Sequence, residues 1–175
     1  MPALVRPATA DDIAAITAIY AGHVLTGIAT FEENPPDAAE MARRHADVTA
    51  RGLPYLVAED QGRVLGYAYA GPYRPRSADR FTLEDSIYLA PDAAGRGVGR
   101  ALLTRVLAES TAWGARQMLA VIGDSGNAAS IGLHRALGFR HLAVYEAVGF
   151  KFGRWVDTVT MQLPLGEGSA TLPSF

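Results

Sequence analysis

The sequence predicts a single mixed α/β domain in which strands outnumber helices, and three observations carry that expectation. The 175-residue chain is long enough to bury a substantial core, with 49% hydrophobic and 19% charged residues. Two apolar runs, "YLVAED" and "RVLGYAYAG", meet through Asp60, Gln61 and Gly62, a hairpin signal that makes the first half antiparallel. Further on, "TLEDSIYLAPDAAGRGVGRALL" passes from a strand through a glycine bend into an amphipathic helix, and "QMLAVIG" follows as a strand.

The elements follow in order. "ALVRPA" reads as a first strand and "TADDIAAITAIYAGH" as a helix. Thr9 caps that helix, Asp12 returns the contact as a carboxylate version of the capping box, and Ile13, Ile16 and Tyr20 recur at helical spacing. "LTGIATFEENPPD" is irregular, and residues 38–50 form a more polar helix that Gly52 and Pro54 stop. After the hairpin, "PYRPRSADRF" is a loop, and "TLEDSIYLA" is a strand closed by Pro91. Leu102, Leu103, Val106 and Leu107 form the apolar stripe of a helix running to about Trp113. "QMLAVIG" is a buried strand, and "NAASIGLHRALG" is a short helix that Asn127 or Ser130 caps and Gly138 ends. "FRHLAVYEAVGF" and "WVDTVTMQLPL" supply two more strands. Residues 1–165 make up the domain, and 166–175 read as a flexible C-terminal tail.

Composition removes several classes of function. Sixteen basic against eighteen acidic residues leave a net charge of −2, so no general field recruits nucleic acid or an anionic membrane. The absence of cysteine excludes disulfides, thiolate metal clusters and a cysteine nucleophile. His23, His45, His134 and His141 show no close metal-ligand spacing, so no metal is expected. "MPALVRPATADD" has no apolar leader region and no apolar run approaches a membrane span, which makes the cytoplasm the expected location.

The glycine bend carries the chemistry. Gly95, Gly97 and Gly99, with Arg96 and Arg100 among them, offer successive N–H donors at a helix N-terminus, an arrangement suited to a pyrophosphate. A Walker A loop needs lysine and then Ser or Thr after its last glycine, where this chain has Arg100 and Ala101. A dinucleotide fingerprint needs its first glycine almost at the strand end, but "PDAA" intervenes and Leu102 stands in the third glycine's place. That spacing argues against a nucleotide-binding oxidoreductase. Tight helix–strand packing explains one of these glycines and hardly all three.

"GRGVGRALL" after "IYL" resembles the acetyl-CoA loop of the GNAT superfamily of N-acetyltransferases, with Ala94 where that superfamily usually carries Gln or Arg. "TGIATFEE", "YLVAEDQGRVLGYAYAGPYRPR", "TLEDSIYL", "NAASIGLHRALGF" and "VGFKFGRWVDTVTMQLPL" resemble the phosphinothricin and methionine sulfoximine acetyltransferase branch, in order and over nearly the whole chain. The resemblance implies a strongly twisted mixed sheet flanked by helices, with two central strands splayed so that acetyl-CoA enters the gap. It implies an enzyme that acetylates the α-amino group of a small amino-acid analogue by direct transfer in a ternary complex, and a homodimer is the expected assembly.

By the same resemblance, Gly95, Arg96, Gly97, Val98, Gly99 and Arg100 hold the pyrophosphate. Ile87, Tyr88 and Leu89 contact the acetyl and pantetheine arm through their backbone, with Asn127 and Ser130 beside them. Transfer needs an ammonium deprotonated, a carbonyl polarised and a departing thiolate protonated. Glu84 matches the proposed general base, acting through water, and strand alternation then turns Asp85 to the other face. His134 falls where this branch carries histidine. It can protonate the thiolate, relay a proton with Glu84, or serve as a satisfied core side chain. The acceptor pocket comprises Phe31, Arg74, Pro75, Arg76, Glu84, Asp85 and Ser86. A solvated basic loop is the plain alternative for the two arginines, and core packing for Phe31. Lys151, Trp155 and Asp157 serve packing, the dimer contact or a pocket wall. Another small amine or a peptide N-terminus stands as an alternative acceptor, and a non-catalytic acyl-CoA sensor as an alternative function.

Overall fold

The computed structural model of the chain describes residues 3–173. The last two residues of the expected tail lie outside that range. Among the described residues, seven strands and four α-helices follow in the order β1 (Leu4–Pro7), α1 (Ile13–Thr26), α2 (Ala38–Thr49), β2 (Tyr55–Asp60), β3 (Arg63–Pro72), β4 (Thr82–Leu89), α3 (Val98–Trp113), β5 (Gln117–Gly123), α4 (Ala128–Ala136), β6 (Arg140–Lys151) and β7 (Arg154–Pro164). The strands form one open sheet in the order β1-β2-β3-β4-β5-β7-β6. All neighbours pair antiparallel except β4 and β5, which are parallel and joined through α3.

Local chemistry sets the element ends. Asp12 accepts from the Thr9 backbone N–H at 2.7 Å, closing the capping box one 3-10 turn before α1. The same carboxylate takes a guanidinium hydrogen bond of 2.7 Å from Arg6, which ties the start of α1 to β1. Asp37 caps α2 by accepting from the Glu40 N–H at 2.8 Å. The β2–β3 hairpin turns at Gln61 and Gly62, both at positive φ (51° and 79°), as a right-twisting two-residue turn requires.

Strand alternation divides the core in two. Tyr55, Val57 and Tyr67 pack with Ile13, Ile16, Tyr20 and Val24 of α1 and Met41 of α2. Leu56, Ala58, Ala68, Ala70 and Leu83 point the other way, onto Val98, Leu102, Leu103 and Val106 of α3. One face of the sheet is therefore lined with tyrosine rings and the other with aliphatic side chains.

The feature that positions the site is a break in pairing. β4 and β5 are in register from Thr82–Gln117 to Asp85–Ala120 and no further. β4 stays paired to β3 as far as Leu89, and β5 stays paired to β7 as far as Gly123. Each central strand follows its outer neighbour, so the sheet splits between Ser86–Leu89 and Val121–Gly123. This is the splay that the resemblance implied. Beyond β7, the segment read as a tail is engaged by Arg116, whose guanidinium donates to the Gly168 and Leu172 carbonyls, each at 3.1 Å, and to Thr171 Oγ1 at 3.0 Å.

Candidate active site

A cavity of about 240 Å³ fills the split. Its walls are the unpaired ends of β4 and β5, Asn127, Ser130, Leu133 and His134 around α4, and His23 and Ala29 from the opposite face. The cavity therefore passes through the sheet. Of the residues assigned to the acyl carrier from the sequence, Ile87, Tyr88, Leu89, Asn127 and Ser130 come together here. Asn127 is also the cap of α4, accepting from the Ser130 N–H at 3.2 Å.

Behind the cavity lies the N-terminus of α3. Gly95 and Gly97 adopt left-handed backbone (φ 73° and 78°), and Gly97 has no side chain with which to cap the helix. The first-turn N–H groups of Val98, Gly99 and Arg100 have no intrahelical acceptor, so they meet an anion without competition. Gly99 does a different job. A Cβ there would lie 3.3 Å from Leu133 and 3.4 Å from Leu89, so its lack of a side chain seats α3 against β4 and α4. Arg96 is paired with Asp60 at 3.1 Å, which anchors the bend to the β2–β3 turn and leaves Arg100 exposed beside the helix end. An extended chain ending in a pyrophosphate fits this construction, with backbone donors and acceptors along the split and an uncapped helix end behind it.

The two adjacent carboxylates of β4 face opposite ways. Glu84 lies on the tyrosine-lined face, where β4 pairs with Gly71, two residues beyond Tyr69 on β3. It is half-buried, and burial, with the neighbouring Asp85 charge adding to it, pushes its carboxyl up to about 7. Asp85 was placed in the acceptor pocket by resemblance, but it stands on the α3–α4 side. There its Oδ2 lies 2.9 Å from His134 Nε2. The structure thus joins His134 to Asp85 instead of to Glu84, because odd-numbered positions of β4 face α3 and α4. Burial pulls the imidazole down, but the Asp85 hydrogen bond and charge and the Ser130 carbonyl outweigh it and hold His134 above its ordinary value.

The remaining acceptor residues are more dispersed. Ser86 lines the cavity. Arg74, Pro75 and Arg76 form an exposed loop after β3, with the Arg74 guanidinium 4.9 Å from the centre of the Tyr73 ring. Phe31 lies across Gly149 of β6, where a Cβ would come within 2.5 Å of its ring. Lys151, buried, donates to the Gly27 and Thr30 carbonyls at 2.8 and 2.9 Å and so pins the α1–α2 loop that carries Phe31. Asp157 accepts from Ser125 Oγ at 2.6 Å and the Ala147 N–H at 2.9 Å, bracing the turn before α4 and the irregular stretch of β6.

Two features escaped the sequence reading. His23 hydrogen-bonds the Leu89 carbonyl through Nε2 at 2.8 Å and walls the cavity from α1. Tyr55, Tyr67 and Tyr69 lie nearly parallel, with centroids 4.9 to 6.4 Å apart. The period-two "YAY" of β3 was the available signal for that row.

A split parallel strand pair with an uncapped helix end behind it defines a protein that binds an extended, anionic acyl carrier. Residues 18–139 match the Acetyltransferase (GNAT) family, and the chain belongs to that family. It is 62% identical over 169 residues to the phosphinothricin N-acetyltransferase of Alcaligenes faecalis, covering 97% of this chain and 86% of that one. It is 46% identical to the L-methionine sulfoximine/L-methionine sulfone acetyltransferase of Pseudomonas paraeruginosa, covering 94% and 96%. Its fold matches the crystal structure of a GNAT superfamily phosphinothricin acetyltransferase from Sinorhizobium meliloti in complex with AcCoA, with a TM-score of 0.96 and 54% identity over 99% of this chain and 94% of the other.

Proposed function

We propose that this protein transfers acetyl from acetyl-CoA to the α-amino group of a small amino-acid analogue: phosphinothricin, methionine sulfoximine or methionine sulfone. The observation that carries the reading is Glu84, a half-buried carboxyl pushed up to about 7 at the point where β4 and β5 part. A base of that strength takes a proton from an ammonium at neutral pH more readily than an ordinary carboxylate does, and water relays the transfer. Acetyl-CoA supplies an acyl group activated as a thioester. The uncapped end of α3 binds its pyrophosphate, and the unpaired edge of β4 offers backbone groups to its amides. Glu84 receives the acceptor's proton on the tyrosine-lined face, and His134 faces the cavity from the other side. Arg74 and Arg76 supply forks for a carboxylate and a phosphinate or sulfoximine, with Phe31 as the apolar wall. Direct transfer needs no acyl-enzyme, in keeping with a chain that has no cysteine.

The names of the relatives at 62% and 46% identity support the acceptor class. The test is free-thiol release from acetyl-CoA against phosphinothricin, methionine sulfoximine, methionine sulfone, common amino acids, spermidine and a short peptide. Turnover confined to the first three establishes the class. Turnover led by spermidine or the peptide replaces it with another amine, and acetyl-CoA binding without any turnover replaces the enzyme with a sensor.

The same reading makes the protein a cytoplasmic homodimer. β6 is an edge strand whose exposed Val148 and Phe150, with Trp155 of β7 packed edge-on against Phe150, present an apolar surface that a second copy would cover. Among the described residues, no helix is long and apolar enough to cross a membrane. Light scattering should give twice the chain mass for the wild type and a monomer for Phe150→Glu. A monomeric wild type ends the dimer assignment.

A further inference from the structure

We infer that His23 is a positioning residue for the acyl carrier, a latch from α1 that holds the last free carbonyl of β4 where a pantetheine amide meets it. This deepens the acyl-transfer reading and rests on it. His23 stands in the last turn of α1, and its Nε2 lies 2.8 Å from the Leu89 carbonyl oxygen. A carbonyl only accepts, so Nε2 carries the proton, and a neutral ring is held as the Nε2–H tautomer.

The register of the sheet decides which way this carbonyl looks. In an antiparallel pair, hydrogen-bonded and non-bonded positions alternate. The Ala90 N–H donates to the Leu65 carbonyl at 2.8 Å, so the next pair along, Gly66 with Leu89, is a non-bonded one. A Cβ on Gly66 would lie 3.2 Å from the Leu89 Cα, the close approach expected of such a pair. Both main-chain polar groups of Leu89 therefore turn away from β3 and towards β5. Those of Ile87, two residues back, turn the same way. β5 pairs with β4 only as far as Asp85 and Ala120, so no strand meets them. Among the described residues, the Leu89 carbonyl is the one of these groups that a side chain holds.

The position of that carbonyl gives the latch its consequence. Leu89 ends β4, and Ala90 and Pro91 lead directly into the bend of Gly95 and Gly97. His23 thus fixes the junction between the edge that meets the carrier's amides and the helix end that meets its pyrophosphate. A carbonyl oxygen has two lone pairs, so the imidazole takes one and the other stays available to an amide N–H in the split. Tyr88 stands edge-on to the imidazole at 5.3 Å, and Tyr20 of α1 edge-on to Tyr88 at 4.9 Å, so ring packing limits the swing of the latch. His23 and Leu89 both line the cavity. A long, flexible carrier binds more tightly to an edge that is already held, because less ordering opposes the complex.

Calorimetric titration with acetyl-CoA tests the latch without any acceptor. His23→Leu keeps the bulk but has no donor, and should weaken acetyl-CoA about fivefold to tenfold, the range expected for one neutral hydrogen bond. His23→Gln carries an amide N–H at the reach of Nε2 and should return affinity to within about twofold of wild type, whereas the shorter His23→Asn should not. If His23→Leu does not fold, the difference between the Gln and Asn variants decides by itself. In turnover, the Leu variant should raise KM for acetyl-CoA by a larger factor than it lowers kcat. Nitrogen-15 NMR should find the proton of the neutral His23 ring on Nε2, and a proton on Nδ1 overturns the proposal. So does a Gln variant no better than the Asn variant, or a Leu variant that binds more tightly than wild type, since the ring would then block the carbonyl. A wild type that does not bind acetyl-CoA removes the acyl-transfer reading and the latch with it. A wild type that binds it no better than His23→Leu removes the latch alone.

Discussion

The two faces of the central sheet treat adjacent carboxylates in opposite ways. On the tyrosine-lined face, Glu84 is half-buried with no cation bonded to it among the described residues, so burial leaves it holding its proton up to about pH 7. On the α3–α4 face, Asp85 is more deeply buried but lies 2.9 Å from an imidazole that shares its charge. One face keeps an unpartnered carboxyl poised to change charge, and the other holds its carboxyl against an imidazole. The difference shows that depth of burial does not decide reactivity by itself. What decides it is whether the fold supplies a counter-charge.

Glu84→Gln should separate the faces most sharply. Turnover should fall about 10²- to 10³-fold while acetyl-CoA affinity by calorimetry stays within about threefold, and equal losses in both would remove Glu84 as the base. Stability should move the other way. The Glu84 pKa is raised on folding from 4.5 to about 7, so the wild type loses stability as pH rises across that window and carries the full penalty above it. The Gln variant lacks this loss. At pH 8 it should gain about 1 kcal/mol after solvent screening, a rise of roughly 2–4 °C in Tm by calorimetry. The wild-type rate should climb through a midpoint near pH 7 as Glu84 deprotonates.

On the other face, activity and stability should fall together. His134→Ala leaves Asp85 as an unpaired buried charge and should cost about 3 kcal/mol in urea titration as well as slowing turnover. The pair's contribution should be complete below the unfolded histidine pKa of 6.5 and should fade as pH rises through the higher folded value. A neutral effect on stability would mean that the ring is not ionically held.

Smaller effects test the loop over the tyrosine face. Lys151→Met strands the Gly27 and Thr30 carbonyls and should cost about 2 kcal/mol, measured as a drop of roughly 4–8 °C in Tm. Gly149→Ala should push the Phe31 ring aside and raise the acceptor KM severalfold at nearly unchanged kcat. An unchanged KM would return Phe31 to a packing role.

Local chemistry was legible in the sequence. The Thr9–Asp12 box, the Gln61–Gly62 turn, the glycine bend and the limits of β5 all rest on residues within a few positions of one another. Lys151 was not legible, since a lysine reads as solvent-facing until two carbonyls from residues 121 and 124 positions away are seen to hold it. Nor was the Asp85–His134 pair, whose members stand 49 residues apart with no spacing rule to join them.

The sequence by itself determined the alternation of β4, and so dictated that Glu84 and Asp85 would face apart. It also determined the uncapped start of α3, because Gly97 has no side chain to offer. Only the tertiary structure decided which face received the histidine, and where β4 and β5 would part. Both are set by long-range packing: α4 lies on the α3 side of the sheet, and each central strand stays with its outer neighbour. No local pattern of side chains encodes either choice.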